Sequence, residues 1–122
     1  MSDLLWQLGA METAELISRK DVSTREVIKN HLERLTEVNP KINAITRSLD
    51  DEAMEMAILA DEKISRNEQI GPLHGVPVTI KDNVDITGQS SPNGVSKLKD
   101  NLATANSPVV DNLLKAGAIP IG

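Results

Sequence analysis

An α/β fold is predicted by three patterns in the 122 residues. Apolar residues recur at helical spacing through the first half, up to Ile64. Val76, Val78 and Ile80 then alternate with Pro77, Thr79 and Lys81, the period-2 signature of a strand with two different faces. Finally, a capped helix from Ser107 meets Gly117 and gives way to the apolar run Ala118–Ile121. Helices followed by strand, helix and strand make an α/β chain. One domain is expected over 1–122, helical over 1–66 with a lysine-strand region over 71–122.

The elements follow in order. Leu4, Leu5, Leu8, Met11, Leu16 and Ile17 have rough helical spacing broken by Gly9, which predicts one broken or two short helices up to Arg19. Ser23-Thr-Arg-Glu26 has the form of a capping box, and Val27, Ile28, His31, Leu32 and Leu35 share the face behind it. Asn39-Pro40 is expected to close this helix, because a residue before proline avoids the α region. His31 on the apolar side reads as a packed or hydrogen-bonded residue rather than a ligand. Ile42–Thr46 reads as a short strand.

A third helix is expected with Ser48 as its cap. Ala53, Met56, Ala57, Ala60 and Ile64 form its buried stripe, and Glu52, Glu55, Asp61, Glu62 and Lys63 form a solvated face. Arg66 to His74 is a turn-rich linker. Seven residues at about 3.3 Å each put His74 far from Lys81, so His74 is loop structure rather than a catalytic partner. Val84–Gly88 reads as a strand turning into an irregular loop. Ser107-Pro108 caps the last helix, with Val109, Val110, Leu113 and Leu114 as its buried face.

Composition narrows the function classes. Thirteen basic against eighteen acidic residues give a net charge of −5, and no basic cluster exceeds Arg19-Lys20, which disfavours nucleic-acid binding. Without cysteine there is no disulfide, thiolate metal site or cysteine nucleophile. Trp6 is the sole aromatic residue, so the core must rest on aliphatic side chains. The start Met1-Ser-Asp-Leu-Leu-Trp6 has neither a basic n-region nor a long apolar run, so no membrane partner is expected and the cytoplasm is the default compartment.

Lys81 is the candidate catalytic residue. A lysine leaving an apolar strand can be partly desolvated, which lowers an ammonium pKa and makes a base, whereas the ordinary reading is a charged head reaching water over an apolar stem. Resemblance decides between them. Gly75-Val-Pro-Val-Thr-Ile-Lys81-Asp-Asn83, with Gly71-Pro-Leu-His-Gly75 before it and Ala116-Gly-Ala-Ile-Pro-Ile-Gly122 after it, resembles the amino-terminal part of an amidase-signature hydrolase. Asn39, Pro40 and Asn43 match the same pattern, and the resemblance covers most of the chain.

The resemblance implies a truncated portion of a mixed β-sheet covered by helices. It implies hydrolysis of a small-molecule carboxylic amide with Lys81 as base of a serine, cis-serine, lysine triad, and no metal or organic cofactor. Asp82 and Asn83 would support the site, with strand alternation turning Asp82 away from Lys81. The family's Gly-Gly-Ser-Ser-Gly run, which carries both serines, is not among these residues. The 122 residues alone are therefore expected to be inactive, with an open sheet edge to be covered by the remainder of the domain or by another protein. Ser90 or Ser91 acting with Lys81 is the local alternative for the nucleophile.

Many family members carry Gly-x-x-Thr-Thr-x-Gly-Ser where this chain has Gly88-Gln-Ser-Ser91-Pro92-Asn-Gly94-Val95. This segment looks more like some stand-alone amidases than like the ammonia-supplying chain of an aminoacyl-tRNA amidotransferase. That amidotransferase chain is one rival reading, a non-catalytic remnant or interaction module is a second, and a generic soluble helical domain in which the lysine motif is coincidence is a third.

Overall fold

The computed structural model describes residues 2–122, with side chains from Leu4 onward. A 3-10 segment, Ser2–Gln7, leads into α1, Ala10–Ser18. Gly9 separates them as the N-cap of α1, and its N–H donates to the Glu12 carboxylate at 2.9 Å. The expected pair of short helices is present.

Helix α2, Thr24–Ile42, begins with the expected capping box. Ser23 Oγ accepts from the Glu26 N–H at 3.1 Å, and the Ser23 N–H and Oγ–H both donate to Glu26 Oε2 at 2.8 Å. These bonds hold the Glu26 carboxyl below its ordinary value of 4.5, the Ser23 backbone N–H contributing most and its hydroxyl next.

The far end of α2 departs from expectation. The helix passes through Pro40 and stops only at Asn43, in the left-handed region at φ 47°. Proline forfeits one bond in the last turn. The Asn43 N–H still reaches Asn39 O at 2.7 Å, and the Asn39 side chain grips the Ile45 backbone twice, at 2.9 Å each. Because Ile45 bonds to that side chain, Ile42–Thr46 has no strand partner and is not a strand.

Helix α3, Asp50–Ser65, is capped by Leu49 rather than Ser48. Leu49 is buried and its N–H donates to Ile121 O at 3.0 Å, so the sheet sets where α3 starts. Asp50, Asp51 and Glu52 lie in the first turn, where the helix dipole favours negative charge. Ala53, Ala57 and Ala60 are buried as expected, and their small side chains let α3 pack closely on Ile28 and Leu32 of α2 and on Ile119 and Ile121. Leu5, Ile17 and Val27 make a second core, joined by Leu8, Val22 and Ile64.

Asp61 leaves the solvated face predicted for it. Its side chain is only 16% exposed and accepts from the Thr24 N–H at 2.6 Å, the Arg25 N–H at 3.3 Å and Arg25 Nε at 2.9 Å. A carboxylate of α3 thereby caps the N-terminus of α2.

Strands β1, Pro77–Val78, and β2, Ile119–Pro120, form a two-stranded parallel sheet, Pro77 opposite Ile119 and Val78 opposite Pro120. Bonds from Ile119 N to Val76 O, from Ile121 N to Val78 O and from Ile80 N to Gly122 O carry the ladder to the residue before Lys81. Regular strand is shorter than the Val76–Lys81 alternation suggested. The backbone positions that point away from the ladder belong to Pro77, Thr79 and Pro120, so proline removes donors from both outer edges.

Val84–Gly88 is a series of turns rather than a strand: Val84 N bonds Lys81 O, Gln89 N bonds Ile86 O, and Gly88 takes φ +80°. Helix α4, Pro108–Lys115, has Ser107 as its cap and Pro108 in its first turn. Val110 is fully buried, but Val109 is 54% exposed, because 110, 113 and 114 share a face from which 109 is rotated by about 100°. Gly117, at φ +94°, ends α4 and packs on the His74 backbone so closely that a Cβ would lie 2.7 Å from His74 Cα.

Candidate functional site

Three stretches converge at the C-terminal end of the ladder. Gly122 O accepts the Ile80 N–H, which fixes the chain immediately before Lys81. The coil after α2 presses against Gly122 from the other side, where a Cβ would meet Ile45 Cγ2 at 2.6 Å and Arg47 O at 3.1 Å. Residues 86–90 close the third side. The cleft between them has a volume of about 40 Å³ and is bordered by Arg47, Ile80, Lys81, Asp82, Gln89 and Ser90 among others. That volume holds a water or two, far short of the about 300–1,000 Å³ of a small-molecule pocket.

Lys81 is solvent-exposed at the rim, and among the described residues its Nζ enters no hydrogen bond or ion pair. Asp82 borders the same cleft instead of facing away, because the chain turns from Lys81 to Val84 and strand alternation has ended. Asn83 is exposed in that turn and does not border the cleft.

Ser90 is 5% exposed, and its Oγ accepts a 2.7 Å bond from Arg47 Nη2. A guanidinium drawing on that lone pair opposes nucleophilic attack, which counts against Ser90 as a partner of Lys81. Ser91 is half-buried and does not border the cleft.

The histidines are structural. His74 is buried in its loop and its Nε2 bonds Ala60 O at 3.0 Å, while His31 Nδ1 bonds Val27 O at 2.8 Å. Each of these ring nitrogens must carry its hydrogen to donate to a carbonyl. Among the described residues no group of three His, Cys, Asp or Glu could hold a metal ion, and no helix is long and apolar enough to cross a membrane.

Sequence reasoning missed Arg47, which donates from Nη1 to Gln89 Oε1 at 2.8 Å as well as to Ser90. It reads locally as a polar residue between two elements. Its partners lie 42 and 43 residues away, and no periodicity signals them.

Comparison with known proteins identifies the family. The sequence model of the Amidase family matches residues 26–122. The chain is 45% identical over 118 residues to indoleacetamide hydrolase of Bradyrhizobium diazoefficiens, covering 97% of this chain and 22% of that protein. It is 39% identical over 118 residues to the A chain component of glutamyl-tRNA(Gln) amidotransferase from Thermoanaerobacter pseudethanolicus, covering 97% of this chain and 24% of that one. Its fold superposes on a bacterial aryl acylamidase of the amidase-signature enzymes with a TM-score of 0.89 at 29% identity, over 94% of this chain and 24% of that structure. The chain thus spans about a quarter of the length of the curated relatives it matches. With the family match running from Glu26 through the Lys81 ladder to Gly122, this chain belongs to the amidase-signature family.

Proposed function

We propose that Lys81 is the base of an enzyme that hydrolyses a small carboxylic amide to the acid and ammonia or an amine, and that residues 1–122 are the amino-terminal portion of its single catalytic domain. The observation that carries this reading is the placement of Lys81. It follows the last ladder bond, Ile80 N to Gly122 O, and stands with its amine unengaged beside the cleft in an amidase-family chain.

In this reading Lys81 withdraws a proton, through a bridging serine, from a second serine. That serine attacks the amide carbonyl carbon, the C–N bond breaks, and the leaving nitrogen takes the proton. Water then releases the acid and restores the serine. Both serines are assigned to polypeptide outside residues 1–122, since Ser90 is engaged by Arg47 and no Gly-Gly-Ser-Ser-Gly run is present. Residues 1–122 alone are accordingly assigned no turnover.

The likeness to a glutamyl-tRNA(Gln) amidotransferase component supports a second reading, an ammonia supplier within a tRNA-dependent complex. The Pro92–Val95 turn, closed by Val95 N to Pro92 O at 2.8 Å with Asn93 and Gly94 both at positive φ, carries the segment that resembles stand-alone amidases. Ammonia release by the intact gene product, given primary amides including indole-3-acetamide and no other protein, tests the two. Release from at least one of these amides is expected. Release only from glutamine, and only with partner proteins and charged tRNA, would overturn the stand-alone reading.

A further inference from the structure

We propose that Arg47 is a positioning residue of the Lys81 site, holding residues 86–90 as a wall of the cleft and turning the Ser90 hydroxyl hydrogen into it. This inference rests on Lys81 being the base.

The root of Arg47 is fixed by the residue that also fixes the approach to Lys81. Its carbonyl oxygen packs against Gly122, and Gly122 O bonds Ile80 N. From there the planar guanidinium reaches two successive residues, Gln89 Oε1 at 2.8 Å and Ser90 Oγ at 2.7 Å. One rigid fork gripping two neighbours is a geometry that a lysine ammonium does not reproduce.

On its other side the loop is bonded to the chain before α4, by Gly88 N to Ala103 O at 2.9 Å and Ala103 N to Gln89 O at 2.8 Å. Arg47 is thus the side-chain tie between that loop and the coil seated on Gly122. A guanidinium only donates, so Ser90 Oγ is the acceptor and its own hydrogen must leave in another direction. Among the described residues no acceptor receives it, although Ser90 is 5% exposed and borders the Lys81 cleft. A buried donor left in this way fits a hydrogen-bond acceptor entering the cleft, and the substrate's amide carbonyl oxygen is of that class.

Hydrogen exchange and steady-state kinetics on the intact gene product test the proposal together. Arg47→Met is expected to speed exchange of the Gly88 and Ala103 amides about ten-fold, leaving Ile119 and Ile121 unchanged, because a charge-assisted tie to the loop is lost. It should also lower kcat/KM for a primary amide about ten-fold, with Arg47→Lys recovering only part of either effect. Unchanged exchange at Gly88 and Ala103, or equal acceleration at Ile119 and Ile121, would overturn the positioning role. Ser90→Ala removes the hydroxyl and with it one of the two bonds to Arg47: slower turnover with loop exchange accelerated less than in Arg47→Met is expected, and wild-type kcat/KM would overturn its donor role even if Arg47→Met failed to fold. Full activity in Lys81→Met would sink the base reading, while the exchange result would still report on the Arg47 tie.

Discussion

From Ala10 to Ser65 three helices satisfy most of their own backbone, whereas from Gly71 to Gly122 the chain depends on distant partners: Leu73 on Ala116, Gly75 on Gly117, Ile119 on Val76, Ile80 on Gly122. The first region contributes apolar stripes to two cores, one of which also takes Ile119 and Ile121 from the second region. The second has two strands of two residues each, and its loops are fixed by single bonds and by glycines that allow close backbone approach. In the proposed reading this difference places the chemistry. A regular helical layer supplies a rigid support, and the irregular layer supplies the turn that delivers Lys81, a division common where functional residues sit on loops over a scaffold.

Gly75 is one of the tightest contacts between the two regions, and breaking it should have the largest effect. Gly75 takes φ +78°, and a Cβ there would lie 2.7 Å from Thr24 Oγ1 and 2.8 Å from Ile17 Cδ1. Gly75→Ala should destabilise by about 3–4 kcal/mol, the sum of a left-handed backbone cost and overpacking of a tight contact. Urea denaturation of the intact gene product measures it, and a loss below about 1 kcal/mol would show that the regions are not closely joined there.

A smaller effect is expected at Asp61, where the helical region borrows the long-range bonding typical of the other. Asp61→Ala leaves the Thr24 N–H without its acceptor at a buried residue and should cost about 2 kcal/mol. Asp61→Asn keeps an acceptor oxygen and should cost less. Equal losses for the two variants would mean that charge, rather than the cap bond, matters.

The smallest effect belongs to the purely local capping box. The folded Glu26 carboxyl titrates below its ordinary 4.5, so its contribution to stability is present above that pH and fades as pH falls through the lower, folded value. Comparing wild type with Glu26→Gln across pH 3 to 7 (a range of about four units around the carboxylate values) should show their stabilities converging at the acid end. A constant gap across the range would remove Glu26 as the source.

What could be read in the sequence divides along the same line. Ser23 and Glu26, the alanine stripe of α3, Ser107-Pro108 and the Gly117 stop were legible because each signal and its partner lie within a few residues. Lys81 stood out only through resemblance, since no local pattern separates a base from a surface lysine at a strand end. The continuation of α2 past Pro40 was not legible, because the Asn39 side chain that holds the following coil gives no periodic signal. Nor were Asp61 and Arg47, whose partners are 36 to 43 residues away. A charge on an otherwise solvated face looks the same in sequence whether it meets water or caps a neighbouring helix.

The most direct test of the central claim is kcat/KM for ammonia release from a primary amide, comparing the intact wild-type gene product with Lys81→Met at matched circular dichroism. Loss of the base should lower it by about a thousand-fold or more, and Lys81→Arg should not restore it, since a guanidinium stays protonated. A Lys81→Met enzyme within about two-fold of wild type, against the roughly hundred-fold or greater loss that marks an essential base, would contradict the assignment of Lys81.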